Sequence, residues 1–317
     1  MSHKAIEINS NKYFVYCGLG GILACGTTHF SMTPIDMLKC RLQVNPQAYK
    51  GIIDGLSKVS KSPVGFRGLY LGGTATLLGY SLQGMGKYGF YEYFKYTYGQ
   101  IVGADTAVRH KTLLYLGASA TAEFLADLML CPLETIKVRM QTAIPGSQIG
   151  GFTATLQQIL STEGVNGFYK GIGPLWFRQI PYTMVKFASF ENIVEMIYKK
   201  ILNRPKDAFS KSQQLGVTFA AGYMAGILCA VVSHPADTIV SKLNSVGKTA
   251  ENKKSVASIV RELGFTGIWT GLVPRIFMIG TLTAAQWFIF DSFKVKTGLP
   301  TTGGDGDNKV SRVAKEM

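Results

Sequence analysis

Apolar and small residues fill this chain in runs of 17 to 30, and a few polar side chains interrupt every run. The stretch "LYLGASATAEFLADLML", Leu114 to Leu130, is one such run, broken by Glu123 and Asp127. A helix of about 20 residues spans the roughly 30 Å of bilayer hydrocarbon. A lone charge at that depth costs roughly 2.5 to 3.5 kcal/mol on insertion scales, so runs that keep their acids suit helices lining a wet cavity.

A charged knot ends three of these runs. "PIDMLKCRLQ" begins at Pro34, "PLETIKVRMQ" at Pro132 and "PADTIVSKLN" at Pro235, at offsets of 98 and 103 residues. A second marker follows each knot: "GFRGLYLG" from Gly65, "GVNGFYKG" from Gly164 and "GFTGIWTG" from Gly264, 99 and 100 apart. A third closes each unit: "FYEYFK", "SFENIV" and "IFDSFK", whose acids Glu92, Glu191 and Asp291 are again 99 and 100 apart. Three markers in one order, three times over, define three tandem units.

Each unit predicts a long helix bent at its proline, a short amphipathic helix and a second long helix ending at the acid marker. The short helices are read in "GIIDGLSKVSK", "GGFTATLQQIL" and "KSVASIVREL". Two spans in each of three units make six transmembrane helices, an all-α membrane protein. The repeats occupy residues 12–100, 108–201 and 210–297, after an N-terminal tail of residues 1–11. The polar, Gly-rich stretch 298–317 is expected to be a disordered tail. Membrane prolines are tolerated where neighbours or water satisfy the freed carbonyl, and the bends let the odd helices converge. In each knot the acid and bases face neighbouring helices, which predicts acid-to-base pairing around a ring.

Composition sharpens this picture. The chain is 47% hydrophobic and 16% charged, with 36 glycines and a net charge of +14. A positive field suits nucleic acid, an anionic membrane surface or an anionic solute. The bases are spread through three apolar repeats instead of gathered on one soluble face, which argues against nucleic acid. Five cysteines, at 17, 25, 40, 131 and 229, show no CxxC pair and are expected as free thiols. No HExxH, GxSxG or GxxxxGK[ST] motif is present, so neither an enzyme nor a cofactor is expected. The stretch "MSHKAIEINSNKYFVY" has neither a secretory signal nor an Arg-rich transit helix.

Gates can be symmetric, but a small asymmetric cargo needs positions where the repeats differ. Five residues before the closing acids stand Lys87, Lys186 and Gln286, at one depth; five before the prolines stand His29, Asp127 and Ala230. Glu123 precedes Asp127 by four residues, on the same helical face. Lys87 and Lys186 predict an anion site, with Gln286, Gln83 and Thr76 as further hydrogen-bond donors. The plainer reading is that the lysines pair with Glu123 and Asp127 to tie helices together, and that amides and hydroxyls act as interhelical glue. His29, Glu123 and Asp127 are candidates for taking up a proton alongside an anion.

These residues resemble the mitochondrial carrier family, whose hallmark is a threefold P-x-[DE]-x-x-[KR]-x-[KR] with a downstream [DE]-G-x(4)-aromatic-[KR]-G. The resemblance covers residues 12 to 296. It implies a six-helix barrel with pseudo-threefold symmetry and short matrix helices, closed alternately on either side by ion-pair rings. The implied matrix gate is Asp36, Lys39, Glu134, Lys137, Asp237 and Lys242. The implied cytoplasmic gate is Glu92, Lys95, Glu191, Asp291 and Lys294. Any one of these charges alone would read as an interfacial or snorkelling residue; repetition is what marks a gate. The resemblance also implies the mitochondrial inner membrane, both termini in the intermembrane space, bound cardiolipin and a working monomer. Some positions depart from the hallmark. Val240 and Val194 stand where gate bases belong, and Val64 and Leu263 where loop acids belong. Both rings are therefore expected to be incomplete and easier to open.

Four stretches go beyond the hallmark: "GYSLQGMGKYGFYEYFK", "ATAEFLADLMLCPLE", "RQIPYTMVKFASFE" and "GTLTAAQWFIFDSFK". They look like the phosphate carrier branch of the family, which implies import of inorganic phosphate with a proton, or in exchange for hydroxide. Copper or another small anion is the alternative cargo. Cys25 lies nine residues before Pro34, where repeat two has Glu123, and soft thiolates suit Cu(I). The plainer reading of Cys25 is a small apolar residue in a bundle.

Overall fold

The computed structural model describes residues 6–44, 47–142, 151–246 and 256–304, and every regular element among them is helical. Repeat one comprises α1 (Asn11–Val44), the short α2 (Ile52–Ser60) and α3 (Phe66–Leu69), and α4 (Gly73–Val102). A linker helix, α5 (Ala104–Arg109), leads into repeat two: α6 (Lys111–Thr142), α7 (Phe152–Glu163), α8 (Asn166–Tyr169) and α9 (Ile172–Met196). Repeat three comprises α10 (Lys211–Val246), α11 (Val256–Ile268) and α12 (Leu272–Lys296). Helices α1, α6 and α10 continue through Pro34, Pro132 and Pro235.

The six long helices pack in chain order: α1 on α4, α4 on α6, α6 on α9, α9 on α10 and α10 on α12. Helix α12 returns to α1, so the ring closes into a barrel. Val15, Leu19 and Leu23 expose an apolar stripe with a four-residue spacing on α1, and Met224, Leu228 and Val232 do so on α10. Against hydrocarbon such a surface is the expected outer face of a spanning helix. Stretches of α6, α10 and α12 reach mean hydropathies of 1.4, 2.0 and 1.3. Helices α4 and α9 bury Gln83, Lys87 and Glu92, and Thr183, Lys186 and Glu191, which explains why their apolar runs read as interrupted.

Two contacts set the packing. Where α1 crosses α4, a Cβ on Gly21 would sit 2.1 Å from the Gly84 carbonyl oxygen, and one on Gly84 would sit 2.2 Å from the Gly21 oxygen. The backbones touch there, and small residues are what allow membrane helices to approach so closely. At the end of the barrel nearest the termini, Tyr88, Tyr91, Phe187, Phe190, Trp287 and Phe290 are all at most 1% exposed. Phe190 stacks on Trp287 at 3.7 Å, and Tyr88 reaches Phe187, Trp287 and Phe290 at 4.3 to 5.2 Å. These rings form a dry layer across the barrel.

One expectation fails within the described residues. Residues 298–304, expected as the start of a disordered tail, fold back onto this end: Leu299, Thr301 and Thr302 are 1% to 2% exposed. Composition predicted disorder because the segment cannot build a core of its own; here it borrows one, with Leu299 joining the aromatic cluster. Residues 305–317 lie outside the described residues.

The Gly21–Gly84 contact gives a first prediction. Gly84→Val forces α1 and α4 apart and is expected to cost about 3 kcal/mol, at the upper end for overpacking, read as a clear fall in melting temperature of the detergent-solubilised protein. An unchanged melting temperature would show that the crossing tolerates a side chain.

Candidate functional site

A cavity of about 250 Å³ lies inside the barrel, lined by residues of all three repeats. The aromatic layer closes it toward the termini. Lys87, Lys186, Gln83 and Gln286 line one part of it, and the knot residues Asp36, Lys39, Glu134, Lys137 and Asp237 line another.

The predicted cations and acids are divided unevenly. Lys87 on α4 pairs with Glu123 on α6 at 3.1 Å, and both are buried. Gln83 donates from one amide nitrogen to Glu123 Oε1 at 2.8 Å and to Asp127 Oδ1 at 3.1 Å. Both acids are 0% exposed, behind the cavity wall, and Asp127 Oδ2 has no hydrogen-bond partner. Gln83, expected to donate to cargo, therefore spends its amide on two carboxylates. Lys186, 2% exposed, donates to Gln286 Oε1, and Gln286 donates onward to Thr28 at 3.2 Å. Among the described residues Lys186 makes no ion pair; its ammonium bonds a neutral amide and lies 6.0 Å from the centre of the Phe187 ring. His29 lines the cavity and stacks flat on Tyr80, 3.7 Å between ring centres at 13°.

Arg178 was missed by the sequence reading. It lies eight residues before Lys186 on α9, about 12 Å along the axis, lines the cavity and is exposed to it. No ion pair to it exists among the described residues. A signal was available: the positions matching it are Gly79 and Met278, so it is another place where the repeats differ.

Besides Glu123 and Asp127, Thr76 and Cys25 do not reach the cavity. Thr76 is 0% exposed and donates to the Gly72 carbonyl one turn back, at 3.0 Å, so its hydroxyl is satisfied inside its own helix. Cys25 is buried at the α1–α4 crossing, 2.7 Å from where a Cβ on Gly84 would lie. Among the described residues no three His, Cys, Asp or Glu side chains gather as a metal site.

At the knots, Lys137 lies 3.6 Å from Asp36 of repeat one and 3.5 Å from Glu134 of its own helix. Lys39 is exposed and has no ion pair among the described residues. The side chain of Lys242 lies outside the described residues. Asp237 is paired with Arg275 from α12, which also bonds Ser233 at 3.1 Å. At the opposite end, Lys95 bonds Glu92 at 2.9 Å and Glu191 at 2.8 Å, joining repeats one and two. Tyr13 donates to Glu92 at 3.0 Å, and Asp291 accepts from Thr218 at 2.7 Å.

Known proteins share this arrangement of repeats. The family model for the mitochondrial carrier protein matches residues 10–101, 109–201 and 211–298. The probable mitochondrial phosphate carrier protein of Schizosaccharomyces pombe is 55% identical over 305 residues, 95% of this chain and 96% of its own. The mitochondrial phosphate carrier protein of Caenorhabditis elegans is 52% identical, over 93% of this chain and 84% of its own. Solute carrier family 25 member 3 of Bos taurus is 51% identical, over 93% and 79%. With three matches laid end to end over the six long helices, the chain belongs to the mitochondrial carrier family.

Proposed function

We propose that this carrier imports inorganic phosphate across the mitochondrial inner membrane together with a proton. Its termini face the intermembrane space in this reading, and its cavity faces the matrix. As a family member the protein is a mitochondrial membrane carrier. The observation that supports the cargo assignment is a pair of cavity cations without an ion pair among the described residues: Lys186, bonded to a neutral amide, and Arg178, exposed to the cavity. An anion is what such a site lacks, and relatives named as phosphate carriers support the choice of anion. The guanidinium presents a planar fork to an oxyanion, the ammonium a compact charge.

The geometry also supports a route for coupling. Lys87 is neutralised by Glu123, which shares the Gln83 amide with Asp127. Two buried carboxylates against one ammonium carry excess negative charge, and a proton relieves it. A proton on Glu123 removes the partner of Lys87 and releases the ammonium to the cavity beside Lys186. The proton thus prepares the second cation for phosphate. Loss of phosphate toward Arg178 and the matrix lets Lys87 return to Glu123 and expel the proton. This favours proton symport over hydroxide antiport, because the proton resides on the protein. His29, flat against Tyr80 in the cavity wall, serves as an entry point from cavity water in this scheme. Copper as an alternative cargo finds no support at Cys25.

Three outcomes follow for radiolabelled phosphate transport in liposomes. Lys186→Ala should raise KM about tenfold or more, the worth of one charged hydrogen bond, and an unchanged KM would remove Lys186 from the site. Glu123→Gln, with Lys87 permanently released, should keep phosphate-for-phosphate exchange but lose acceleration by an inward pH gradient. Retained acceleration would place the proton elsewhere. Arg275→Gln should slow exchange with little change in KM, as expected of a gate cation; a raised KM would assign Arg275 to the anion site instead.

A further inference from the structure

A gap in the cytoplasmic gate carries an inference that rests on the carrier reading above. Lys95 and Lys294 close repeats one and three, whereas repeat two has Val194 at the matching position. Lys95 joins repeat one to repeat two by reaching Glu191. The same threefold step would have residue 194 reach Asp291, and a valine offers neither charge nor hydrogen bond. Asp291 is nevertheless 0% exposed, and a buried carboxylate needs partners.

The chain beyond α12 supplies them. The Thr302 N–H donates to both Asp291 oxygens at 2.9 and 3.0 Å, and the Thr302 hydroxyl donates to Oδ1 at 2.7 Å. That hydroxyl also accepts from Lys294 at 3.1 Å, so Thr302 stands between the acid and the base of repeat three. The segment then lies on the valine itself. A Cβ on Gly303 would come within 3.0 Å of Val194 and 3.3 Å of Glu191 Oε2. Gly303 also has φ of 72°, so space and backbone both call for glycine. Lys206, from the linker between repeats two and three, donates to the Thr301 and Gly303 carbonyls at 2.6 and 2.7 Å. Gln214 accepts from the Thr301 hydroxyl at 3.0 Å. The strap runs from repeat three to repeat two across a seam with no ion pair between these repeats among the described residues.

We infer that residues 301–304 are the missing third of the cytoplasmic gate. Thr302 takes the place of the base that position 194 lacks. Opening the barrel toward the intermembrane space separates repeats two and three at this seam, so the strap leaves Val194 and Asp291 in every transport cycle. Thr302 acts on the gate acid, not on the cargo, and is a positioning residue.

A reversible lock tests this. Full-length carrier bearing Val194→Cys and Gly303→Cys is reconstituted, and phosphate exchange is followed before oxidation, after it, and after reduction. Exchange should stop on oxidation and return on reduction, while the two single-cysteine variants ignore the oxidant. Undiminished exchange by the cross-linked protein overturns the inference. Because a cysteine at 303 strains the backbone, Thr302→Val is a second test beside Lys95→Gln. Loss of the Thr302 hydroxyl should shift the gate equilibrium about tenfold toward opening and change the exchange rate in the same direction as Lys95→Gln. A response to Lys95→Gln with none to Thr302→Val overturns the strap and leaves the gate standing. A response to neither overturns the gate reading beneath it.

Discussion

A fixed charge inside a helical barrel persists only where another charge, a dipole or water answers it. Most of this structure follows from that constraint. Lys95 is placed between the acids of two repeats, Lys137 between those of two knots, and Lys87 against Glu123. Each pairing ties two helices together, so the electrostatic requirement and the closure of the barrel are met by the same contacts. The exceptions mark the work of the protein. Lys186 and Arg178 line the cavity without an ion pair among the described residues, and the function proposed above gives that place to an anion that arrives and departs.

Threefold symmetry shapes where the answers come from. A strict repeat would supply three identical pairs at each end, and the described residues supply fewer. Asp237 turns to Arg275 on the second helix of its own repeat, and Asp291 turns to Thr218 and to the chain after α12. In both cases a residue outside the repeated pattern fills the vacancy. The departures thus change which repeats the ion pairs join: Lys95 and Lys137 bridge repeats, whereas Arg275 stays within one.

How much of this was legible depends on periodicity. The six long helices, the knots and the closing markers recur at nearly constant offsets because each repeat must pack the same way, and a constant offset is visible without any structure. Lys87, Lys186 and Gln286 were found by asking where the repeats differ at one depth. Thr76 was misplaced because a hydroxyl facing its own helix backbone looks, in a sequence, like one facing a cavity. Cys25 shares the register of Glu123, but its side chain is taken up by the tight α1–α4 crossing instead. Arg275, like Arg178, stands where the repeats differ: its counterparts are Thr76 and Leu175, so a search for recurring markers passes over it. The burial of residues 299–302 escaped because composition reports what a segment can bury alone and is blind to what neighbours lend it.

The aromatic layer has an electrical consequence. Water in the cavity conducts, and stacked rings do not. In this state the membrane voltage therefore falls across the thin layer of Tyr88, Phe187, Trp287 and Phe290, and little of it falls along the wetted cavity. A unit charge crossing a full 100 mV exchanges about 2.3 kcal/mol with the field, so where that drop is concentrated decides which step feels it. In the function proposed above, an anion passing between Arg178 and the open end of the cavity crosses little of that field, and the voltage acts on the rearrangement of the aromatic layer instead.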